Sequence, residues 1–81
     1  VPIERFIWTI HAERMRRRRL LDRYELERAI RNGHRDRRAN YGDADWLIDG
    51  LLIDGRHFEI VYDHPHRNDQ SAVRIVSAWD V

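Results

Sequence analysis

The chain has no cysteine and no lysine, only two prolines and four glycines in 81 residues, and no long apolar run. Without cysteine there is no disulfide framework, no thiolate nucleophile and no thiolate metal site, and a reducing compartment is the simplest setting. No stretch approaches the roughly 20 apolar residues of a membrane-spanning helix, and the N-terminus lacks the basic-then-apolar order of an export signal. The expectation is a cytoplasmic protein with no membrane partner. There is no glycine-rich phosphate loop and no G-x-S-x-G, so nucleotide hydrolysis and serine-hydrolase chemistry have no support. The length suits a single domain, residues 1–81, with any site on a surface or in a shallow groove.

Arginine is abundant instead: all fifteen basic residues are Arg. Genomic base composition accounts for the missing lysine, yet the arginine fork binds phosphate through two donors where lysine offers a point charge. The net charge of +1 conceals halves of opposite sign, with twelve Arg against six acids through Gly42 and three Arg against eight acids from Asp43 onward. Local potential steers encounter, so the first half offers a positive face to an anionic partner.

Ile3 to Ile10 alternates apolar and polar residues, with Phe6, Trp8 and Ile10 on one side, which predicts a strand. Thr9 is placed to cap a short helix from about Ile10 to Arg18. Asp22 with Glu25 forms a capping box and Leu21 with Leu26 a hydrophobic staple, so a second helix runs from Asp22 to about Asn32. Leu26, Ala29 and Ile30 make its buried stripe, Glu27 pairs with Arg31, and Asn32-Gly33 supplies a left-handed stop. The polar stretch His34 to Asp45 holds a short edge strand near Arg37 to Tyr41, whose arginines discourage edge-to-edge pairing. L-I-D-G occurs twice; Asp54-Gly55 is assigned the hairpin turn, and Gly50 a bulge or kink. His57 to Asp63 and Ala72 to Val81 alternate as strands around a loop at His64 to Ser71. In the last strand Val73, Ile75, Ser77 and Trp79 share one face. The order β-α-α-β-β-β(-β) predicts an α+β domain, two helices on one face of a 4–5-stranded antiparallel sheet. The three tryptophans are expected to cluster in the core.

Thr9 to Arg19, T-I-H-A-E-R-M-R-R-R-R, is a cationic comb on which His11, Arg14 and Arg18 share a helix face. This opening, with D-R-Y-E-L-E-R-A-I, G-R-H-F-E-I-V and the closing V-R-I-V-S-A-W, resembles the small RelE/ParE-like toxin domains, in particular the uncharacterised group with a T-x-H-A-x-x-R-M motif. The resemblance spans all but His34 to Asp45. It implies a toxin-like fold whose relatives include ribosome-dependent messenger-RNA endonucleases, gyrase inhibitors and RNase domains of effector toxins, commonly neutralised by an antitoxin.

Cleavage of RNA by its own 2′-hydroxyl needs a base, an acid for the leaving 5′-oxygen, and cations where charge builds on phosphorus. His11 is the leading general base or acid, because histidine titrates near neutrality. Arg14 and Arg18 are the expected phosphate clamps, His57 and Glu59 on one strand face supply a second proton-transfer group, and Arg74 adds positive charge. Arg16, Arg17 and Arg19 are assigned to general RNA or phosphate binding. The competing reading makes His11 a capping or packing residue and the arginine run a solvated face. Asp63-His64-Pro65-His66 invites a metal, but its turn residues suit a loop, so neither metal nor other cofactor is expected. The expected function is a metal-independent endoribonuclease toxin whose partners are RNA, on the ribosome or free, and an antitoxin. The alternatives are a non-enzymatic protein that binds a target such as gyrase and a nucleic-acid-binding regulatory module; assembly as a homo-oligomer stays open.

Overall fold

The N-terminal alternation forms a strand, but a short one. In a computed structural model, which describes residues 2–81, β1 is Arg5–Trp8, followed by α1 (Ile10–Arg18) and α2 (Arg23–Gly33). A 3-10 turn (His34–Asp36) then leads to β2 (Arg38–Ala39), β3 (Trp46–Leu51), β4 (His57–Asp63) and β5 (Ala72–Asp80). This is the expected α+β architecture, two helices on one face of a five-stranded sheet of order β1-β5-β4-β3-β2. The sheet is mixed, not wholly antiparallel: β2 to β5 form an antiparallel meander, whereas β1 lies parallel to β5, with Arg5 opposite Ala72 and Trp8 opposite Ile75. Strand direction at that far edge depends on how the two helices return the chain, which no local pattern encodes.

The core lies between the helices and the sheet. Ala12, Leu21, Leu26 and Ile30 pack against Ile48, Phe58, Ile60, Tyr62, Val73, Ile75 and Ala78. Leu21 and Leu26, the two arms of the expected staple, are both fully buried, each worth about 1.5–3 kcal/mol of hydrophobic burial. Among the described residues no helix is long and apolar enough to cross a membrane.

Several local expectations change. Thr9 caps α1 as predicted, its Oγ1 accepting from the Ala12 amide at 3.0 Å. Asp22 caps α2 through the Tyr24 amide, but Glu25 does not reach back to complete the box; it accepts from the Ile53 amide at 2.8 Å and ties α2 to the β3–β4 hairpin. Gly33 is not left-handed (φ −104°), so α2 tightens into the 3-10 turn instead of stopping. Glu27 pairs with Arg23, not Arg31, and also accepts from the Trp8 indole at 2.9 Å. Nor do the tryptophans cluster: Trp8 and Trp46 lie against the core margin, while Trp79 bonds Glu59 at 3.0 Å.

The bulge lies elsewhere than Gly50. The β4–β5 register slips between Val61 and Tyr62, leaving Val76 unmatched. Ala78 is thereby turned into the core opposite Ile60, and Ser77 and Trp79 face outward opposite Val61 and Glu59, so Ser77 and Trp79 do not share a face with Val73 and Ile75. Gly50 pairs regularly with Phe58. It is glycine because the Phe58 ring, itself 2% exposed, lies 2.9 Å from where a Cβ would stand. Asp54-Gly55 does turn the hairpin, with Gly55 at φ 94°. Gly50→Ala should lower stability in urea by about 1–3 kcal/mol, and Phe58→Leu in that background should recover part of the loss. A Gly50→Ala protein as stable as the parent would show that the ring yields freely.

Candidate functional site

The β1–α1 corner places His11. Beyond Trp8, β1 leaves the edge of β5, and Thr9 stitches the turning chain to that edge: its amide donates to the Ile75 carbonyl at 3.1 Å and its hydroxyl to the Val76 carbonyl at 3.1 Å. The first turn of α1 therefore sits beside the bulge, and His11 Nε2 comes within 3.2 Å of the Ser77 hydroxyl. Ser77 opposes Val61 and Trp79 opposes Glu59, so Ser77 and Glu59 are diagonal neighbours on the open face, roughly 7–8 Å apart. The Trp79 indole N–H holds one oxygen of Glu59. His11, Ser77 and Glu59 thus form a row on the sheet face opposite the helices, with an imidazole at the rim and a carboxylate inside.

Arg14 and Arg18 follow His11 on the same face of α1; both are exposed and neither makes an ion pair among the described residues. A shallow groove of about 340 Å³ lined by Trp8, Thr9, Ile10, Glu13, Arg14 and Arg17 opens at the start of this helix. The remaining predicted residues are not brought to His11. His57 lies on the outer face of β4 four residues before Val61, about 13 Å away along the strand. Arg74 lies beyond the bulge, paired with Asp63 at 3.1 Å.

The three arginines assigned to phosphate binding have other employment. Arg16 is largely covered: it pairs with Glu13, donates to the Leu21 carbonyl at 3.3 Å and lies 5.9 Å from the Trp8 ring centre. Its bond holds the Glu13 carboxyl below the usual range despite partial burial. Arg19 pairs with Asp80 at 2.9 Å and depresses its pKa. Arg17 lies 3.4 Å from Glu13 but is largely exposed, so it alone of the three remains open to a ligand.

A second polar group, not singled out by spacing, lies at the other end of the helical face. His34 Nδ1 is 2.9 Å from the Tyr62 hydroxyl, its ring meets His64 edge-on at 4.2 Å, and Arg37 contacts Nε2. Arginine only donates, and Arg37 Nη1 approaches both ring nitrogens, so the imidazole presents a lone pair to the guanidinium. Arg37 also stacks 4.1 Å above Trp46, and its buried Nε has no partner. Burial, then Arg37, then His64 push the His34 pKa down to about 4, and burial lifts Tyr62 to about 12. The His34 imidazole is thereby held neutral between Tyr62, His64 and the Arg37 cation. The only sequence hint was Arg37 three residues after a histidine in an otherwise unpatterned stretch. Of the Asp63-His64-Pro65-His66 run only His64 touches this group, its Nε2 contacting the Gln70 carbonyl at 2.8 Å, while Asp63 pairs with Arg74 and His66 bridges to Asp69; among the described residues no three metal-binding side chains converge.

Comparison with protein-family models, curated proteins and solved structures finds no match to this chain.

Two outcomes follow from this geometry. Unfolded His34 takes up its proton near 6.5 but folded His34 only near 4, so its contribution is intact above the upper value and is lost as pH falls through the window, by at most about 1.4 kcal/mol per pH unit. Comparing urea midpoints of the parent and His34→Gln across that window should show a shallower acid loss in the variant. Arg16→Ala should cost about 1–2 kcal/mol of stability, whereas Arg18→Ala should leave the thermal midpoint unchanged.

Proposed function

We propose that this protein is a toxin of the toxin–antitoxin kind that cleaves RNA without a metal. The observation that carries the reading is the His11–Ser77 contact at 3.2 Å on the open sheet face, with Glu59 diagonal to it and the unpaired Arg14 and Arg18 on the same helix face. In the reaction this supports, the Glu59 carboxylate takes the proton of a ribose 2′-hydroxyl as that oxygen attacks phosphorus. Protonated His11 delivers a proton to the 5′-oxygen as the P–O bond breaks, leaving a 2′,3′-cyclic phosphate and a free 5′-hydroxyl. Arg14 and Arg18 stabilise the charge that accumulates on the non-bridging oxygens. Ser77 positions the imidazole, and the Trp79 indole positions the carboxylate.

His57 and Arg74 are too far along the strands to share this step and take no part in it. An exposed row of this kind suits an extended RNA chain, free or held on a ribosome, better than a small substrate. A cognate antitoxin would cover the same cations with an acidic segment. Docking on a protein target, the other reading open to a basic helix, makes no use of His11 or Glu59.

Purified protein incubated with RNA, with and without ribosomes, should yield fragments ending in cyclic phosphate. His11→Ala and Glu59→Gln should each slow cleavage by about 100-fold or more, while Arg16→Gln should cleave near the parental rate after correction for folded fraction. No cleavage in either setting would remove the nuclease reading; unimpaired cleavage by His11→Ala would remove the site.

A further inference from the structure

Eight of the fifteen arginines are paired with carboxylates: Arg5, Arg16, Arg17, Arg19, Arg23, Arg38, Arg56 and Arg74. Of the seven without such a pair among the described residues, Arg14 and Arg18 lie on α1, Arg37 stacks on Trp46 and Arg67 lies in the loop between β4 and β5, while the other three lie together. Arg28, Arg31 and Arg35 continue the spacing begun by Tyr24, at intervals of four, three and four, so all four residues lie in one stripe along the solvent side of α2 and the turn after it. All four are exposed, and Tyr24 retains 77% of its accessible surface. The stripe covers about 16 Å.

It also runs through two grooves. The first, of about 470 Å³, is bounded by Tyr24, Arg28, Arg31 and Ile53. Its acids are already engaged: Asp22 caps the Tyr24 amide, Glu25 takes the Ile53 amide, and Glu27 takes Arg23 and the Trp8 indole. The second groove, of about 390 Å³, lies between Arg31 and Arg35 on one side and Pro2 and Ile3 on the other. Arg31 borders both, and its guanidinium is steadied 5.3 Å from the Phe6 ring centre.

From this arrangement we infer that the outer face of α2 is a binding track for single-stranded RNA, with an unstacked base on Tyr24 and consecutive phosphates on Arg28, Arg31 and Arg35. Forked donors one helical turn apart suit phosphates, and an exposed aromatic ring at the end of the row suits a nucleobase. A carboxylate-rich peptide would use the arginines but has no need of the ring. The inference rests on RNA being the ligand of the proposed site and extends it to a surface that plays no part in the chemistry.

The test uses a 2′-O-methyl oligoribonucleotide, which binds but cannot be cut, and the intact protein. Removing the three cations in Arg28→Gln/Arg31→Gln/Arg35→Gln should weaken binding at least 100-fold and reduce the salt slope by about 2, at roughly 0.7 per phosphate on a single strand. Tyr24→Ala should weaken binding roughly ten-fold and Tyr24→Phe should not. All are surface changes, and circular dichroism confirms that each variant is folded. If the stripe variants bind as the parent does while His11→Ala still abolishes cleavage, the track is wrong and the nuclease site stands. If they lose binding in a protein that never cleaves RNA, the track stands and the nuclease reading falls. Polyglutamate competing as well as the oligonucleotide, with Tyr24→Ala silent, would overturn the track in favour of an acidic protein partner.

Discussion

One threonine joins the two layers of this protein at the place where the candidate chemistry lies. Thr9 accepts a bond from the first turn of α1 while its amide and hydroxyl both donate to carbonyls of β5. An N-cap alone is worth about 1 kcal/mol; here the same side chain also determines where the helix begins relative to the sheet. The bulge opposite Val61 does the complementary task, rotating Ser77 out of the core register so that it meets His11. Without the corner the imidazole has no fixed position, and without the bulge it has no partner.

What could be read from residue order was what depends on near neighbours. The Thr9 and Asp22 caps, the Leu21–Leu26 staple, the Asp54-Gly55 turn and the alternation of β4 each involve residues a few positions apart, and each appears in the structure. Features set by distant residues were hidden. Glu25 has the spacing of a capping box, but the amide that binds it belongs to Ile53, 28 residues away. Gly50 reads as a kink, and only the ring of Phe58 across the ladder shows why it is glycine. The outward turn of Ser77 depends on a slip in pairing that β5 alone does not encode. In the candidate site, His11, Arg14, Arg18 and Glu59 were legible by type and spacing, whereas Ser77 and Trp79, which hold two of them in place, were not.

The opposite charges of the two halves of the chain take on a different meaning in the fold. They do not make a molecule with one positive and one negative end. Arg5 pairs with Asp69, Arg19 with Asp80, and Arg38 with Asp49, so acids from the second half are spent on arginines from the first. Such exposed pairs contribute little stability individually. Their larger consequence is selective: they quench basic charge along the sheet edges and the α1–α2 corner, and leave Arg14 and Arg18 on α1 and Arg28, Arg31 and Arg35 along α2 and its following turn without a carboxylate partner.

Arg56 shows how far that allocation is built into the structure. Its guanidinium donates to the carbonyls of Arg19 and Leu20 at 2.7 Å each, while Asp54 and Asp80 lie on its other side. It thereby satisfies two carbonyls exposed where α1 ends and fixes the link between the two helices, where Leu20 takes a left-handed conformation with φ 53°. Arg56 therefore adds a tie from the hairpin to the α1–α2 link, beside the core packing that seats both helices on the sheet. A ligand reaching across both faces would meet two arginine rows already held in register, so less of its binding energy would go into ordering them. That pre-organisation would give the paired arginines an indirect part in the proposed binding, with the unpaired ones making the contact.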